Sequence, residues 1–368
     1  MKRNLHLKNL AKQIVLYPFS VLYGIIICSR NWLFDRNILS ITKFNIPIIS
    51  VGNLSIGGTG KTPHTEFILS FLQDDWKVAL LSRGYKRETK GFFLADDNAD
   101  AVKLGDEPFQ IYQKFPRVIV AVDEKRVHGV RKLQEIVPDL QVVVLDDAFQ
   151  HRYIQPGLSI LLTDYNHLYT RDMLLPAGRL RETKSGSVRA NIIVVTKCPA
   201  NLENIEYQRV EKELNLNGNQ DLFFSRYVYD EMIPVFPALE TEKCTYNNLK
   251  NNDFTVLLVA GIVYPQSIVE QLKKYTSKVE TLFYNDHHVF LIQDLLLIMR
   301  RFDEIESTNK ILLVTEKDAA RLVTHQFFPE RLKPFTYALP IRVQILNNQE
   351  NIFIKKIQDY VAENTRNS

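Results

Sequence analysis

The chain has 368 residues, of which 45% are hydrophobic and 24% charged, with a formal net charge of +4. This composition is that of an ordinary globular protein with room for about two domains of ~150 residues each, and it excludes a low-complexity chain. The small net charge and the lack of a long basic tract give no indication of a nucleic-acid partner. Cys28, Cys198 and Cys244 have neither zinc-site nor disulfide spacing, which is typical of a reducing compartment.

The first element in the chain is an uncharged apolar segment, Ile14–Cys28, with basic residues on both sides. Its fifteen residues are short for a membrane span, which needs ~20, and Pro18 and Gly24 interrupt it. No small-residue cleavage site follows Ile27, so the pattern of a cleaved signal peptide is incomplete. We expect residues 1–35 to be an amphipathic or shallowly inserted helix that anchors the chain at the cytoplasmic face of a membrane. The alternative is a buried helix that packs on the first domain.

A glycine-rich loop comes next, between the apolar run Ile46–Val51 and an amphipathic stretch over residues 64–72. The order strand, glycine-rich loop, Gly-Lys-Thr and helix predicts a phosphate-binding loop, because main-chain N–H groups can close around phosphate oxygens there. Lys61 can reach the terminal phosphates, and the Thr62 hydroxyl can bind Mg²⁺.

The loop departs from the usual pattern at one position. Ser55 replaces the first glycine, and the Gly57-Gly58 pair partly compensates by making the loop flexible. The alternative is a glycine-rich turn that binds no nucleotide. The predicted nucleotide-binding residues are Ser55, Ile56, Gly57, Gly58, Thr59, Gly60, Lys61 and Thr62.

Short apolar runs alternate with helical stretches over the first half of the chain, which predicts a doubly wound α/β fold with a parallel sheet. The predicted strands are Ile48–Val51, Val78–Leu81, Val118–Val122, Val142–Leu145, Ile160–Leu162 and Ile192–Val195. The predicted helices are Pro63–Gln73, Asp106–Lys114 and Glu124–Glu135.

Charged residues follow several of these strands, at the edge of the sheet where α/β proteins bind ligands. Arg83 and Tyr85 follow the second strand within Ser82–Arg87, which suggests an anion-binding surface for a phosphorylated second substrate. The alternative is a solvated basic loop. Asp106 and Glu107 open a helix, where acidic residues are commonly caps that offset the helix dipole.

The doublet Asp146-Asp147 directly follows four apolar residues. A carboxylate in this place is the acidic partner of a phosphate-binding loop and holds Mg²⁺ directly or through water. The alternative is an aspartate that caps a helix or a turn. His151 lies just beyond and has the chemistry to donate to a phosphate or sugar oxygen.

A second α/β pattern begins after a polar stretch over residues 201–253. It comprises Val256–Ala260, a helix near Pro265–Tyr275 and the apolar run Ile311–Val314. We expect a P-loop domain over residues 36–225 and a second α/β lobe over residues 226–368. In that lobe Asp286 and His287 form a carboxylate–imidazole pair of the kind that removes a proton from an attacking hydroxyl.

Together these motifs resemble one family, the tetraacyldisaccharide 4'-kinases of Gram-negative envelopes. The matching stretches occur in the family's order over nearly the whole chain: Val51–Pro63, Ser82–Tyr85, Gly105–Pro108, Leu145–Asp147 with Gln150 and His151, Leu175–Glu182, Asp286-His287 and Thr315–Ala319. The family's loop also lacks the first glycine. Ala148 and Arg179 are small departures, which affect local turn geometry only.

The resemblance implies transfer of the γ-phosphoryl group of ATP to the 4'-hydroxyl of tetraacyldisaccharide 1-phosphate, which gives lipid IVA. It implies a P-loop domain and a smaller Rossmann-like lobe that close on the nucleotide, on the cytoplasmic face of the inner membrane. Asp106 would then be the base rather than a cap, paired with His287, and Lys61 would hold the phosphates. The implied metal site is Thr62, Glu107, Asp146 and Asp147, and the implied lipid-binding residues are Arg83, Tyr85, His151, Arg126 and Arg181.

Two other functions are compatible with the loop. A P-loop ATPase or nucleotide switch would share the loop and Asp146, but it has no need for Asp106 and His287 together. A soluble small-molecule kinase would leave the apolar N-terminal segment unexplained.

Overall fold

The computed structural model of the chain describes residues 2–237, 244–251, 253–262, 265–286 and 288–365. The helices are α1 (Lys2–Asp35), α2 (Lys61–Leu72), α3 (Ala101–Leu104), α4 (Asp106–Lys114), α5 (Arg126–Ile136), α6 (Asn204–Leu214), α7 (Tyr246–Asn251), α8 (Gln266–Leu272), α9 (Ile292–Glu304), α10 (Glu316–Val323) and α11 (Glu350–Thr365). Short 3₁₀ turns cover Tyr169–Arg171, Lys184–Arg189 and Glu330–Phe335.

The strands are β1 (Ile48–Asn53), β2 (Val78–Ser82), β3 (Phe93–Leu94), β4 (Ile119–Val122), β5 (Val142–Asp146), β6 (Leu158–Asp164), β7 (Ile192–Thr196), β8 (Asp221–Tyr229), β9 (Ile233–Pro234), β10 (Thr255–Ala260), β11 (Val279–Phe283), β12 (Lys310–Thr315), β13 (Thr336–Leu339) and β14 (Ile341–Ile345).

Within the described residues, nine strands form one sheet in the order β14-β8-β7-β6-β1-β5-β2-β4-β3. The strands from β8 to β4 in this order run parallel, and β14 and β3 join the two ends antiparallel. The central strands are buried along their whole length and consist mainly of Val, Ile and Leu, as in parallel sheets that helices cover on both faces. The predicted α/β fold with a mainly parallel sheet is confirmed.

A second sheet in the described part of the chain has the order β11-β10-β12-β13-β9, parallel except for the short strand β9. We call the elements around the nine-stranded sheet the first lobe and the elements around this five-stranded sheet the second lobe. Each lobe has hydrophobic clusters of its own.

The strand pairing differs from the predicted division of the chain at residue 225. That division falls inside β8, and β14 pairs with β8 in the first lobe, although residues 226–368 were expected to form the second. The reason is burial: β14 places Val343 and Ile345 in the core of the first lobe, and α11 adds Phe353 to the same core. The chain therefore leaves the first lobe after β8 and returns to it at β14.

Helix α1 docks on the first lobe with one face and exposes the other. Ser20, Gly24 and Phe34 are buried, at a spacing that keeps them on one side of the helix. The exposed large side chains are Ile14, Val15, Tyr17, Phe19, Val21, Leu22, Ile25, Ile26 and Trp32. The helix therefore packs on the first lobe, as in the alternative considered above, but it is buried on one face only. Among the described residues, the stretch Gln13–Asp35 is long and apolar enough to cross a membrane by length and composition alone.

Candidate active site

The glycine-rich loop connects the end of β1 to the start of α2, as the motif predicts. Gly57 and Gly60 have φ angles of 104° and 91°, which residues with a Cβ rarely adopt. A Cβ at Gly60 would also lie 1.9 Å from the Tyr227 hydroxyl oxygen, so the close approach of strand β8 requires a glycine there.

Side chains at the ends of two strands hold this loop. Asn53 donates from Nδ2 to the Thr59 hydroxyl at 2.6 Å, and the Thr196 hydroxyl donates to the Thr59 carbonyl at 2.8 Å. Lys197 donates to the Gly58 carbonyl and forms a 2.7 Å ion pair with Asp164. Our sequence reasoning did not assign Thr196 or Lys197 to the site, although their position directly after an apolar strand is a signal for it.

Two of the predicted phosphate-binding amides already donate within the protein. The Ile56 N–H donates to the Arg179 carbonyl at 2.7 Å, and the Thr59 N–H donates to the Gly57 carbonyl at 2.9 Å. Ser55 pairs with Leu180 in an isolated β-bridge. The first part of the loop is thus attached to the segment around residues 179 and 180.

Asp146 lies at the end of β5, which is hydrogen-bonded between β1 and β2. Its carboxylate is buried, and Oδ2 accepts from the Ser82 hydroxyl at 3.2 Å. The other oxygen, Oδ1, is buried without a hydrogen-bond partner in the described part of the chain. Burial, together with the nearby charges of Glu107 and Asp147, raises the pKa of Asp146 to about 7.

Asp147 is held by two cations. Its oxygens lie 2.7 Å and 3.1 Å from the Arg181 guanidinium nitrogens and 3.8 Å from Lys61 Nζ. Burial alone would raise the pKa of Asp147, but Lys61 and Arg181 outweigh burial and hold the pKa below its usual range. Arg181 also donates to Asn53 Oδ1, so it links the loop after β5 to the end of β1.

The doublet fits a nucleotide-borne Mg²⁺. Among the described residues, no three or more His, Cys, Asp or Glu side chains are grouped to hold a metal by themselves. Mg²⁺ is typically bound by one or two carboxylates together with substrate phosphates rather than by an all-protein cage. The buried, unpartnered oxygen of Asp146 is available to a cation, which would complete its surroundings.

A cavity of about 410 Å³ opens beside these carboxylates. It brings together most of the side chains singled out in the sequence. Its lining residues are Ser82, Arg83, Tyr85, Asp106, Glu107, Pro108, Glu124, Arg126, Asp146, Asp147, Gln150, His151 and Arg181. A second cavity of about 550 Å³ lies over the glycine-rich loop between the lobes, and its walls include Lys61, Thr62, Asp286 and Lys317.

Arg126 and His151 differ from the other predicted substrate-binding residues. Arg126 is only 2% exposed, and its guanidinium donates to the carbonyls of Asp123 and Asp146. Burial lowers the pKa of Arg126 to about 10. Burial, followed by the nearby cations Arg126, Arg30 and Arg83, lowers the pKa of His151 to about 4, so its imidazole is neutral at pH 7.

Asp106 stands where the two lobes meet. Gly105, with a φ of 89°, turns the chain so that Asp106 is the first residue of α4. The Asp106 carboxylate accepts from Arg321 of α10 at 2.5 Å, a contact that our sequence reasoning missed because 215 positions separate the two residues. The predicted partner His287 lies outside the described residues. Asp286, beside it, lies 3.2 Å from Lys317 Nζ.

A second ion pair joins the same two helices. Lys114, at the end of α4, lies 2.7 Å from Glu316 of α10 and 2.7 Å from Glu66 of α2. Glu316 also accepts from the N–H of Ile341 at 3.1 Å, at the start of β14. The contact between the two lobes therefore includes one ion pair at each end of α4.

Comparisons with known proteins agree with this geometry. The family model described as Tetraacyldisaccharide-1-P 4'-kinase (LpxK) matches residues 12–361. Proteins named "Tetraacyldisaccharide 4'-kinase" from Bacteroides thetaiotaomicron and Flavobacterium johnsoniae are 50% and 43% identical. These alignments cover 96% and 97% of this chain and 94% and 99% of the relatives.

A solved structure has the same fold. The crystal structure of LpxK from Aquifex aeolicus in complex with ATP has a TM-score of 0.72 and 30% identity, over 95% of this chain and 99% of that one. The match extends over both lobes, and the ATP bound in that structure agrees with the glycine-rich loop found here. The chain belongs to the tetraacyldisaccharide-1-phosphate 4'-kinase family.

Proposed function

We propose that this chain transfers the γ-phosphoryl group of ATP to the 4'-hydroxyl of a tetraacylated glucosamine disaccharide 1-phosphate. Family membership identifies the reaction class. One observation in the molecule carries the proposal: Asp146 presents an unpartnered, buried carboxylate oxygen between the strand that leads into the glycine-rich loop and the strand that leads to Arg83. A nucleotide on the loop and an acceptor in the 410 Å³ cavity would meet at that carboxylate.

On the nucleotide side, Lys61 would hold the phosphates, with the loop from Ser55 to Thr62 around them. The Ile56 and Thr59 amides donate within the protein in the present arrangement, so binding through them would require those two hydrogen bonds to open. Thr62 and Asp146 would hold the Mg²⁺ ion, which supplies neutralisation of phosphate charge when it is bound. Asp147 and Glu107 would support this site, and in the present arrangement Asp147 orients Lys61 and Arg181. Such positioning and charge neutralisation are most of what phosphoryl transfer needs.

On the acceptor side, Asp106 would take the proton of the 4'-hydroxyl as its oxygen attacks the γ-phosphorus, and ADP would leave with the electrons of the broken P–O bond. His287 would pair with Asp106 from the second lobe. A positioned base of this kind typically contributes a factor of ~10² to 10⁴. The cavity in which the sugar and phosphate groups would lie is lined by Arg83, Tyr85, His151 and Arg181. The buried Arg126 would orient Asp146 through its hydrogen bond to the Asp146 carbonyl.

Helix α1 would keep the enzyme at the membrane that holds its lipid substrate. Its exposed apolar face continues along the docked helix from Ile14 to Trp32. An enzyme attached in this way meets the acceptor without extracting its acyl chains. Since ATP is cytoplasmic, we propose the cytoplasmic face of the inner membrane as its location.

The test is transfer of label. Purified full-length protein is incubated with ATP that carries a radioactive γ-phosphate, with Mg²⁺ and with tetraacyldisaccharide 1-phosphate in detergent micelles. We expect label in the lipid, and loss of that label in folded Lys61→Ala and Asp106→Asn variants. Release of free phosphate without labelled lipid would instead identify an ATPase or nucleotide switch.

A further inference from the structure

The docked face of α1 is polar where it meets the active-site loops. Tyr23 donates from its hydroxyl to the carbonyl of Arg181 at 2.8 Å. Arg30 donates to the carbonyl of Gln150 at 2.8 Å, and Asn31 donates to Glu182 at 2.7 Å. A helix that served only as a hydrophobic attachment would have no need for hydrogen bonds to these segments.

Arg181, whose carbonyl accepts from Tyr23, is also held through its N–H group. The Arg181 N–H donates to the Leu54 carbonyl at 2.7 Å, so hydrogen bonds fix both of its peptide groups. Its guanidinium then makes the two contacts with Asp147 and the contact with Asn53. A continuous path therefore runs from Tyr23 through Arg181 to the carboxylate beside Lys61.

Arg30 reaches the other side of the same doublet. The Gln150 carbonyl that it contacts lies three residues after Asp147, and Gln150 donates from Nε2 to the Asn53 carbonyl at 2.7 Å. Helix α1 thus contacts both loops that meet at Asp147: the loop that follows β5, and the loop between the 3₁₀ turns Tyr169–Arg171 and Lys184–Arg189.

The approach of the helix to the second of these loops is close. The Ser20 hydroxyl donates to the Leu174 carbonyl and accepts from the Ala177 N–H, both at 2.9 Å. A Cβ on Gly24 would lie 2.9 Å from Leu174 Cδ1, so the absence of a side chain at Gly24 allows this packing. The loop that ends in Arg181 therefore packs directly on α1.

We propose that α1 is a positioning element of the catalytic site, in which Tyr23 sets Arg181 and thereby Asp147 and Lys61 for the binding of ATP with Mg²⁺. This inference rests on the proposed function for the identity of the nucleotide. It adds a second role to the helix: the membrane-facing side attaches the enzyme, and the opposite side orders the nucleotide site.

Tyr23→Phe tests the proposal because it removes one hydroxyl and leaves the aromatic ring in place. Tyr17→Phe is the matched control, since Tyr17 is 57% exposed on the other face of the same helix. Both variants are prepared as full-length protein in the same micelles. The equilibrium affinity for ATP with Mg²⁺ is measured by calorimetry without lipid substrate, and partition onto phospholipid vesicles is measured separately.

We expect Tyr23→Phe to bind ATP with Mg²⁺ about two- to tenfold more weakly than the wild type, the range for loss of one hydrogen bond. Its vesicle partition should equal that of the wild type, and Tyr17→Phe should match the wild type in its affinity for ATP with Mg²⁺. Amide hydrogen exchange over residues 174–182 should be faster in Tyr23→Phe only.

Unchanged nucleotide affinity in Tyr23→Phe, or an equal loss in Tyr17→Phe, would overturn the proposal. The calorimetric measurement of nucleotide affinity requires no turnover, so its result is independent of the labelling experiment. A wild-type protein that fails to label lipid contradicts the proposed function, whereas a selective loss of nucleotide affinity in Tyr23→Phe still supports the role of α1.

Discussion

Arg321 of the second lobe lies against Asp106 of the first, with its Nη2 atom 2.5 Å from Oδ2 of the carboxylate. The same guanidinium contacts the buried Asp318 at 3.3 Å and the carbonyl of His288. The Arg321 side chain is 9% exposed and that of Asp106 is 24% exposed, so the pair is partly shielded from water. The candidate base is therefore oriented by a residue from the opposite lobe, and its position depends on how the lobes meet.

We expect Arg321→Ala to lower kcat for lipid phosphorylation about tenfold or more, because Asp106 would lose the partner that orients it. Steady-state kinetics with saturating ATP measure this effect. Arg331→Ala is the control, since Arg331 makes an exposed ion pair with Asp303 in the same lobe and should leave kcat unchanged. An Arg321→Ala enzyme as fast as the wild type would exclude this role.

The bidentate contact between Arg181 and Asp147 predicts that lysine cannot replace the arginine. Arg181→Lys keeps the charge but loses the planar fork that makes both contacts, so we expect the affinity for ATP with Mg²⁺ to fall about tenfold. Calorimetric titration measures it. Arg179 lies two positions before Arg181 and pairs with Asp172, so Arg179→Lys should bind normally. Equal affinities in both variants would contradict the prediction.

The exposed face of α1 predicts the effect of placing charge on it. We expect Leu22→Asp with Ile26→Asp to reduce partition onto phospholipid vesicles at least tenfold, because both side chains are 58% exposed and would lie among the lipids. Sedimentation with the vesicles measures the bound fraction. Ile136→Asp, at a 50% exposed residue of α5, is the control and should leave partition unchanged. Membrane binding that survives the double substitution would rule out this face as the attachment surface.

The neutral His151 predicts a loss of stability in acid. Its folded-state pKa of about 4 lies below the ordinary value of 6.5, so between these pH values the unfolded chain binds a proton that the folded chain does not. The free energy of unfolding should therefore fall as the pH decreases from 6.5 towards 4. Urea denaturation at several pH values measures the slope, and His151→Gln should make it shallower. An identical slope in the variant would show that His151 is not responsible.

Phe353 tests whether α11 belongs to the first lobe. Its fully buried ring lies 5.1 Å from that of Phe223 in β8 and 5.9 Å from that of Phe67 in α2. We expect Phe353→Ala to lower the free energy of unfolding by about 3–5 kcal/mol, as in other buried aromatic truncations. Chemical denaturation measures it, with Ile352→Ala as the control because Ile352 is 59% exposed. Similar stability for the two variants would contradict the assignment.

The sequence predicted the features whose signals are local. The apolar runs gave the central strands, and the order of strand, glycines and Lys61 located the loop. The expectation for Asp106 changed from a helix cap to a base only through the family resemblance, since acidic residues in a first helical turn have the same local pattern in both cases.

The sequence did not reveal the contacts made between distant segments. Arg321 on Asp106 and Tyr23 on Arg181 each depend on how separate elements pack, and no local periodicity encodes such a pairing. The return of β14 to the first lobe was missed for a similar reason. An antiparallel edge strand with only alternate residues buried resembles any other short strand, and its partner β8 lies more than a hundred positions away.

The return of β14 and α11 also has a consequence for synthesis on the ribosome. Strand β14, the neighbour of β8 on its outer side, follows the whole second lobe in the chain, so β8 leaves the exit tunnel while this border of the larger sheet still has no partner. The intervening lobe must be made during this interval. Completion of the phosphate-binding half of the enzyme is thereby delayed until β14 and α11 have been translated, and a nascent chain that stops before them would retain an open, aggregation-prone border.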